Sequence, residues 1–214
     1  MDILFARHGN TFNPGDKVVW VGRETDLPLV DKGLAQASLA AQALRRTGLI
    51  PDAVYAASLK RTRTFATIVC ETLGLPPPIV DDRLDEVDYG DWAGRTNDEI
   101  AATGAGAVAM MEAWGAHDEW PVAAGWSSGH DEVMAAVRGF ARDILGDGRH
   151  ERPLVVSSNG ILRFLPRVLL EAEKTADGSL PASFKMRTGH LGRIARTAGQ
   201  TRLLCWDRSA ADFA

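Results

Sequence analysis

Arginine, histidine and carboxylate side chains follow short apolar runs at several separate places along this chain. An arginine guanidinium group binds phosphate oxygens as a planar fork. An imidazole beside it can act as a nucleophile, and a carboxyl group can give or take the proton that a leaving oxygen needs. These residue types together predict chemistry on a phosphate ester. The segments that carry them are Arg7-His8-Gly9-Asn10-Thr11, Ser58-Leu59-Lys60-Arg61-Thr62-Arg63, Asp85-Glu86-Val87-Asp88-Tyr89-Gly90 and Ser158-Asn159-Gly160.

The elements that must position these segments are predicted from the hydropathy pattern. Short apolar runs predict strands at residues 3–6, 53–57, 79–80 and 154–157, and the first and last of these are predicted to be buried. Periodic apolar stripes predict helices at residues 33–46, 61–73, 131–145 and 160–170. Asp31 is predicted to cap the first helix, and Gly74 to end the second. Two closing strands are predicted at residues 191–195 and 202–206, with a turn at Ala198-Gly199-Gln200.

Strands alternate with helices over most of the chain, and this alternation predicts the fold class. We expect an α/β protein with a three-layer α/β/α sandwich, in which a mostly parallel central sheet carries helices on both faces. Ligands of such sheets bind beyond the carboxyl ends of the strands. The four chemistry-bearing segments should therefore meet at one edge of the sheet.

Composition restricts the classes of function that the chain can have. It has 214 residues, of which 45% are hydrophobic and 24% charged, a mixture typical of one globular domain. The net charge of −4 supplies no basic field for nucleic acid or an anionic membrane. Cys70 and Cys205 are far apart and form no metal-binding pattern, so we expect buried thiols. The first residues do not resemble a signal peptide, and we expect a cytoplasmic protein.

Several motifs together resemble one family, the histidine phosphatase superfamily, also called phosphoglycerate mutase-like. Arg7-His8-Gly9-Asn10-Thr11 resembles its RHGxT signature, and Asp26-Leu27-Pro28-Leu29 with Gly33 resembles its D-x-P-L-T-x-x-G stretch. Residues 58–63 are similar to its S-x-L-x-R segment, and residues 84–94 to its L-x-E-x-x-F-G-x-W-E-G block. The resemblance runs from residue 3 to about residue 170. It implies a single domain over residues 1–214, with a helical or loop insertion at about residues 95–130.

The resemblance also implies roles for individual residues. His8 would be the nucleophile and carry the phosphoryl group as phosphohistidine, and Arg7 and Arg61 would bind the phosphoryl oxygens. Glu86 would act as general acid and then as general base. No metal and no cofactor are implied, because arginines supply the positive charge. Further polar or backbone contacts to the phosphate are expected from Gly9, Asn10, Thr11 and Asn13.

Other readings of these residues stay open at this stage. Asp85 and Asp88 compete with Glu86 for the role of acid, and Arg63 is expected to be a solvated charge on the helix surface. The tryptophans at positions 114, 120 and 126 could line a substrate lid or belong to the core. A homodimer through a sheet edge or an exposed tryptophan patch is a further expectation.

The chain departs from the family pattern at one position of the expected phosphate site. The family's fourth strand usually ends in V-S-H-G-G-x-x-R, whereas this chain has Ser158 in place of the histidine and Asn159 in place of the first glycine. Both can bind phosphate through hydrogen bonds, and both can cap the following helix. His190 is a candidate for replacing the missing cation.

Three functions follow from this set of residues. The first is a metal-independent phosphomonoesterase that acts on a small phosphorylated substrate through His8, and residues 89–94 resemble the phosphatase branch most. The second is a catalytically impaired member that binds a phosphate ligand, because Ser158 replaces the second histidine. The third is a phosphoglycerate mutase.

Overall fold

One mixed sheet of six strands organises the part of the chain that the structure describes. The structure is a computed structural model, and it describes residues 1–146, 148–171, 180–197 and 200–214. The spatial order of the strands is β3-β2-β4-β1-β5-β6. The strands are β1 (Asp2–Arg7), β2 (Ala53–Ala56), β3 (Ile79–Val80), β4 (Pro153–Ser157), β5 (Leu191–Thr197) and β6 (Gln200–Arg208). The alternation of apolar runs predicts all six, and Ala198 and Gly199 of the predicted turn lie outside the described residues.

Strand direction places the polar segments together. Strands β1, β2, β3 and β4 pair in parallel, whereas β5 runs antiparallel to β1 and β6 antiparallel to β5. In the register of the two central strands, Arg7 lies opposite Ser157. The next residues of both strands, His8 and Ser158, therefore leave the sheet side by side at its carboxyl edge.

Helices cover both faces of the sheet, which confirms the predicted three-layer α/β/α sandwich. Side chains alternate between the faces of a strand: Leu4 and Ala6 of β1 belong to the core under the first two helices, and Ile3 and Phe5 to the core under the last two. The helices are α1 (Asp31–Arg46), α2 (Lys60–Leu73), α3 (Asn97–Ala101), α4 (Ala105–His117), α5 (His130–Gly146) and α6 (Asn159–Glu171).

Helix ends follow local sequence signals in two cases and depart from prediction in one. Gly74 ends α2 in the left-handed region at φ 73°, where glycine carries no Cβ penalty. Thr96 and Glu99 form a capping box at the start of α3. Asp31 does not cap α1, because the cap position is Val30. Asp31 instead lies in the first turn, where its negative charge interacts favourably with the helix dipole.

Two glycines fix the course of the loop that follows β1. A Cβ on Gly9 would lie 2.4 Å from the carbonyl oxygen of Gly33, and a Cβ on Gly33 would lie 2.2 Å from the carbonyl oxygen of Asn10. Both neighbours are backbone atoms and cannot swing away as a side chain can. The loop after β1 therefore packs backbone to backbone on the first turn of α1.

The segment between α3 and α5 contains an aromatic cluster. Trp126 lies at its centre, with ring centroids 4.8 Å from Tyr89, 4.9 Å from Trp120 and 5.1 Å from Trp114. Trp114 is buried, whereas Trp120 and Trp126 are only partly buried and pack against the core. The cluster therefore joins the insertion to the loop that carries Glu86 and Tyr89.

Two further sequence expectations concern cysteines and membranes. Cys70 is a buried free thiol, and Cys205 is a free thiol that is only partly buried. No helix in the described part of the chain has the length and hydropathy required to cross a bilayer.

Candidate active site

His8 directly follows β1, and only one of its ring nitrogens has a hydrogen-bond partner among the described residues. Its Nδ1 lies 2.8 Å from the carbonyl oxygen of Gly9. A carbonyl can only accept, so we assign the ring proton to Nδ1, which leaves the lone pair on Nε2. Burial, reinforced by the charges of Arg7 and Arg61, holds the pKa of His8 well below its usual value. The imidazole is therefore neutral and presents a free nitrogen, as a nucleophile requires.

Arg7 is held by the segment that precedes β5. Its Nη1 donates to the carbonyl oxygen of Met186 at 2.7 Å, and its main-chain N–H donates to the carbonyl oxygen of His190 at 3.1 Å. Its Nε is buried and finds no acceptor among the described residues. Burial lowers the pKa of this guanidinium from its usual value, against the opposing charge of Glu86. The position of Arg7 is thus fixed, and its Nε remains a buried donor without a partner in the described part of the chain.

Arg61 lies in the first turn of α2 and is 1% exposed. Its Nη1 donates to the carbonyl oxygen of Thr25 at 3.0 Å, and its Nη2 to that of Gly22 at 3.3 Å. Its Nε donates to Ser158 Oγ at 3.4 Å. All three acceptors are neutral. Within the described residues no ion pair neutralises Arg61, which is buried, or Arg7, which is partly buried. Two positive charges therefore face the site without a directly bound counter-ion.

Glu86 is the carboxyl group that faces these arginines. Its oxygens accept from the backbone N–H of Gly160 at 3.0 and 3.3 Å, and Oε1 accepts from the N–H of Val87 at 3.0 Å. Burial raises its pKa above the usual value, although Arg61 and these N–H groups oppose the shift. A raised pKa favours the protonated form that a general acid needs.

The two competing carboxylates have other partners. Asp85 accepts from the main-chain N–H of Ser58 at 2.6 Å and from its hydroxyl group at 2.7 Å. Asp88 accepts from the main-chain N–H of Gly90 at 2.9 Å. Both carboxylates hold loops at the carboxyl edge of the sheet through these hydrogen bonds, which favours Glu86 as the candidate acid.

The remaining predicted residues fall into two groups. Ser158 is fully buried beside Arg61, and Asn159 Oδ1 accepts from the main-chain N–H of Met186 at 3.0 Å. Asn10 donates from its main chain to the side chain of Gln36 and accepts from Thr188 Oγ1. These hydrogen bonds connect the loops around the site. At Gly9, the backbone of Gly33 occupies the space that a Cβ would take.

The structure gives Asn13 and His190 hydrogen-bond partners other than the residues of the candidate phosphate site. Asn13 is exposed, and its main-chain N–H donates to Asp16 Oδ2 at 2.6 Å. His190 Nδ1 lies 2.9 Å from the carbonyl oxygen of Asp207 and 3.0 Å from its Oδ1. The structure therefore gives His190 a carboxylate partner at the edge of β6, and its role at the phosphate stays a prediction.

Sequence reasoning missed a buried ionic cluster behind the site. Arg163 is 2% exposed, its guanidinium lies 4.4 Å from the Trp114 ring centroid, and its Nη1 donates to Asp118. Asp118 also accepts from Arg167, Ser183 Oγ and the N–H of Phe184. The partners of Asp118 lie 45 to 66 residues away along the chain. No local pattern signals such a cluster, although the arginine of V-S-H-G-G-x-x-R marks one member.

Among the described residues, no three His, Cys, Asp or Glu side chains come close enough to hold a metal ion together.

Comparison with known proteins matches nearly the whole chain. The family model of the histidine phosphatase superfamily (branch 1) matches residues 3–208. The 2,3-bisphosphoglycerate-dependent phosphoglycerate mutase of Methylobacterium sp. strain 4-46 is 31% identical over 170 residues, which cover 78% of this chain and 79% of that protein. Phosphoserine phosphatase 1 of Hydrogenobacter thermophilus is 35% identical over 102 residues, covering 46% of this chain and 44% of that protein.

Solved structures match over the same length. Mycobacterial glucosyl-3-phosphoglycerate phosphatase, solved with inorganic phosphate, has a TM-score of 0.74 at 26% identity and covers 98% of each chain. The alpha-ribazole phosphatase of Shigella flexneri has a TM-score of 0.74 at 21% identity, covering 98% of this chain and 97% of that chain. The second match shows the shared fold alone.

Proposed function

The chain belongs to the histidine phosphatase superfamily, and from this premise we propose that it is a phosphomonoesterase that needs no metal and works through phosphohistidine on His8. One observation carries the proposal most directly. His8 is neutral, its Nδ1 is bonded to a carbonyl oxygen, and its Nε2 has no partner among the described residues. The charges of Arg7 and Arg61 act on this imidazole, and neither arginine has an ion-pair partner in the described part of the chain.

The proposed reaction has two phosphoryl transfers. In the first, His8 Nε2 forms a bond to phosphorus, the bond from phosphorus to the ester oxygen breaks, and Glu86 gives its proton to the leaving alcohol. In the second, water attacks phosphorus, Glu86 takes a proton from that water, and the bond from phosphorus to nitrogen breaks. Inorganic phosphate and the original enzyme are the products.

The two arginines supply the positive charge for both steps. Charge spreads over the three equatorial oxygens of the phosphoryl group in the transition state. Fixed cationic donors in a buried site stabilise that charge without having to reorganise. The unpaired Nε of Arg7 supports a role in which this donor binds a phosphoryl oxygen.

Ser158 is the reason to keep the alternative of a catalytically impaired protein that binds a phosphate ligand. Its hydroxyl is fully buried and accepts from Arg61, so the position of the family's second histidine contributes a neutral group. Loss of one charge-stabilising donor costs on the order of 10²–10³ in rate. A measurement of turnover therefore distinguishes a slow enzyme from a protein that only binds phosphate.

The mutase alternative has support from curated relatives such as the Methylobacterium mutase. A mutase returns the phosphoryl group to an acceptor alcohol, whereas a phosphatase gives it to water. Incubation with 3-phosphoglycerate and 2,3-bisphosphoglycerate distinguishes the two by its product, 2-phosphoglycerate or inorganic phosphate.

The experiment that tests the proposal is hydrolysis of a generic aryl phosphate in the presence of EDTA. Wild type, His8→Ala and the exposed-histidine control His117→Ala are compared between pH 4 and 9. We expect wild type and the control to release phosphate equally and His8→Ala to release none. Activity that persists in His8→Ala contradicts the proposed nucleophile. Folded wild type without activity favours the binding alternative.

The expected ligand is a small phosphorylated molecule, and the expected location is the cytoplasm. The net charge of −4 supports neither nucleic acid nor an anionic membrane as a partner. The two free thiols are compatible with a reducing compartment.

A further inference from the structure

Tyr89 connects the aromatic cluster to the candidate acid. The residue is 5% exposed, and its ring lies 5.0 Å from Trp20 and 4.8 Å from Trp126 between centroids. Its hydroxyl oxygen lies at the opposite end, 3.0 Å from the point that a Cβ on Gly160 would occupy. Glu86 Oε1 lies 2.2 Å from the same point. The phenol oxygen and the candidate acid are thus neighbours at the first turn of α6.

The surroundings of this hydroxyl are those of the phosphate site. The charges that act on Tyr89 are those of Glu86, Arg163, Arg7 and Arg61, which include both phosphate-binding arginines. Burial, followed by the neighbouring Glu86, raises the pKa of Tyr89 well above its usual value. The phenol therefore stays protonated and remains a hydrogen-bond donor at all pH values at which the protein is expected to work.

Among the described residues, none accepts a hydrogen bond from the Tyr89 hydroxyl. The hydroxyl oxygen is not one of the fully enclosed unpaired atoms, so a ligand or water can reach it. The aromatic neighbours hold the ring in place and thereby fix the position of the hydroxyl. The charges of Arg7 and Arg61 also act on Tyr89, which favours an anionic acceptor.

The sequence gives a reason why this chain should have such a donor. Ser158 replaces a histidine of the family pattern, and Tyr89 stands where the pattern has phenylalanine. A potential cation is lost and a hydroxyl is gained, and both positions adjoin the start of α6. Tyr89 therefore adds a hydrogen-bond donor near the position where the charge is missing.

We propose that the Tyr89 hydroxyl donates a hydrogen bond to a non-bridging oxygen of the transferring phosphoryl group, in a site where the neutral Ser158 stands in place of the family's second histidine. This inference rests on the proposed phosphatase function. It makes Tyr89 a catalytic residue, because its hydroxyl touches the reacting group. The contact strengthens as negative charge grows on the phosphoryl oxygens in the transition state.

The test is Tyr89→Phe, which keeps the ring and its packing and removes only the hydroxyl. We expect kcat/KM to fall roughly 10- to 100-fold, by the same factor for an alkyl phosphate and for 2,4-dinitrophenyl phosphate. A non-bridging contact does not depend on the leaving group. Vanadate, which mimics the transition state, should bind more weakly by a similar factor, and the thermal midpoint should be unchanged.

The control is Tyr55→Phe, which removes the other tyrosine hydroxyl of the chain. Tyr55 lies in β2, and its ring packs on Phe140 with centroids 5.5 Å apart. We expect this variant to retain wild-type kinetics. Tyr89→Phe with unchanged kcat/KM and vanadate affinity overturns the proposal, and so does a loss confined to the alkyl phosphate.

The same measurements separate this inference from the proposed function. If wild type hydrolyses no phosphate ester, the phosphatase function fails, and vanadate affinity alone decides the role of Tyr89. Weaker vanadate binding by Tyr89→Phe then supports the contact, and equal binding overturns it. If wild type does not bind vanadate either, both proposals fall together.

Discussion

The backbone N–H of Gly160 donates to both carboxylate oxygens of Glu86, at 3.0 and 3.3 Å, across 74 residues of sequence. This contact joins the loop that carries the candidate acid to the first turn of α6. It is possible because Gly160 has no side chain: an added Cβ would lie 2.2 Å from Glu86 Oε1. The acid and the neighbouring Ser158 are therefore positioned as one unit.

Gly160→Ala should displace Glu86, because the three neighbours of the new methyl group, Glu86, Val87 and Tyr89, are all buried. We expect at least a tenfold loss of kcat/KM and a loss of about 1–3 kcal/mol in the free energy of unfolding. Phosphate release and urea denaturation measure the two effects. Gly115→Ala in α4, where a Cβ meets nothing within 4 Å, is the control: it should keep kcat/KM and lose no stability, because alanine favours a helix more than glycine does. Equal behaviour of the two variants would contradict the prediction.

Arg61 and Arg63 provide a matched pair on one helix. Arg61 is 1% exposed and directed at Ser158, whereas Arg63 is exposed to solvent. Arg61→Ala should lower kcat on the order of 10²–10³-fold, because a buried cationic donor to the phosphoryl group is lost. Arg63→Ala should leave kcat unchanged. Steady-state hydrolysis of an aryl phosphate checks both, and a comparable loss in the two variants would remove Arg61 from the proposed site.

The pH dependence should reflect two opposite pKa shifts. Phosphorylation of His8 requires neutral His8, whose pKa is lowered by burial, and protonated Glu86, whose pKa is raised by burial. The rate with an alkyl phosphate should therefore fall as pH rises through the pKa of Glu86 and as pH falls through that of His8. Profiles of kcat/KM against pH test this expectation.

Glu86→Gln isolates the alkaline limb of that profile. Without a proton to give, the variant should lose roughly 10²–10⁴ in kcat/KM with an alkyl phosphate. It should lose far less with 2,4-dinitrophenyl phosphate, whose leaving group departs without a proton. The same loss with both esters would falsify the general-acid role.

Asp118 should contribute to stability through the buried arginines. Burial alone would raise its pKa, but hydrogen bonds from Ser183, Phe184 and Arg167 and the charge of Arg163 bring the pKa below its usual value. Asp118→Asn leaves Arg163 buried without its counter-ion, and we expect a loss of about 3–5 kcal/mol in the free energy of unfolding. Asp143→Asn, which removes an exposed partner of Arg83, should change little.

The lowered pKa of Asp118 also predicts how the stability difference between wild type and Asp118→Asn changes at acidic pH. A carboxylate with a lowered pKa stabilises the fold above its unfolded pKa of about 3.9, and this contribution disappears as pH falls through the folded pKa. The stability difference between wild type and Asp118→Asn should therefore shrink below about pH 4. Asp118→Asn combined with Arg163→Met removes both charges and should recover most of the loss at neutral pH. A pH-independent difference would contradict this account.

Local signals predict most of the fold. The helix predicted at residues 61–73 is observed as Lys60–Leu73, and the one predicted at 131–145 as His130–Gly146. Each has a strong apolar stripe, and Gly74 ends the first by a local conformational preference. The cap of α1 was predicted at the wrong residue, because Asp31 entered the first turn and Val30 took the cap position. Boundaries of this kind depend on the loop packed beneath, and here Gly9 and Gly33 decide it.

The sequence by itself determined which side chains meet at the carboxyl edge of the sheet, because parallel strands bring the residues that follow them to one place. The strand ends predict the segments, and the family resemblance points to Arg7, His8, Arg61 and Glu86 within them. Only the tertiary structure decided how they are oriented: Met186 holds Arg7, Gly160 holds Glu86, and Asp118 ties the insertion to α6. These contacts join residues 45 to 179 positions apart. Their geometry arises from the packing of whole elements, and no local pattern of residues encodes it.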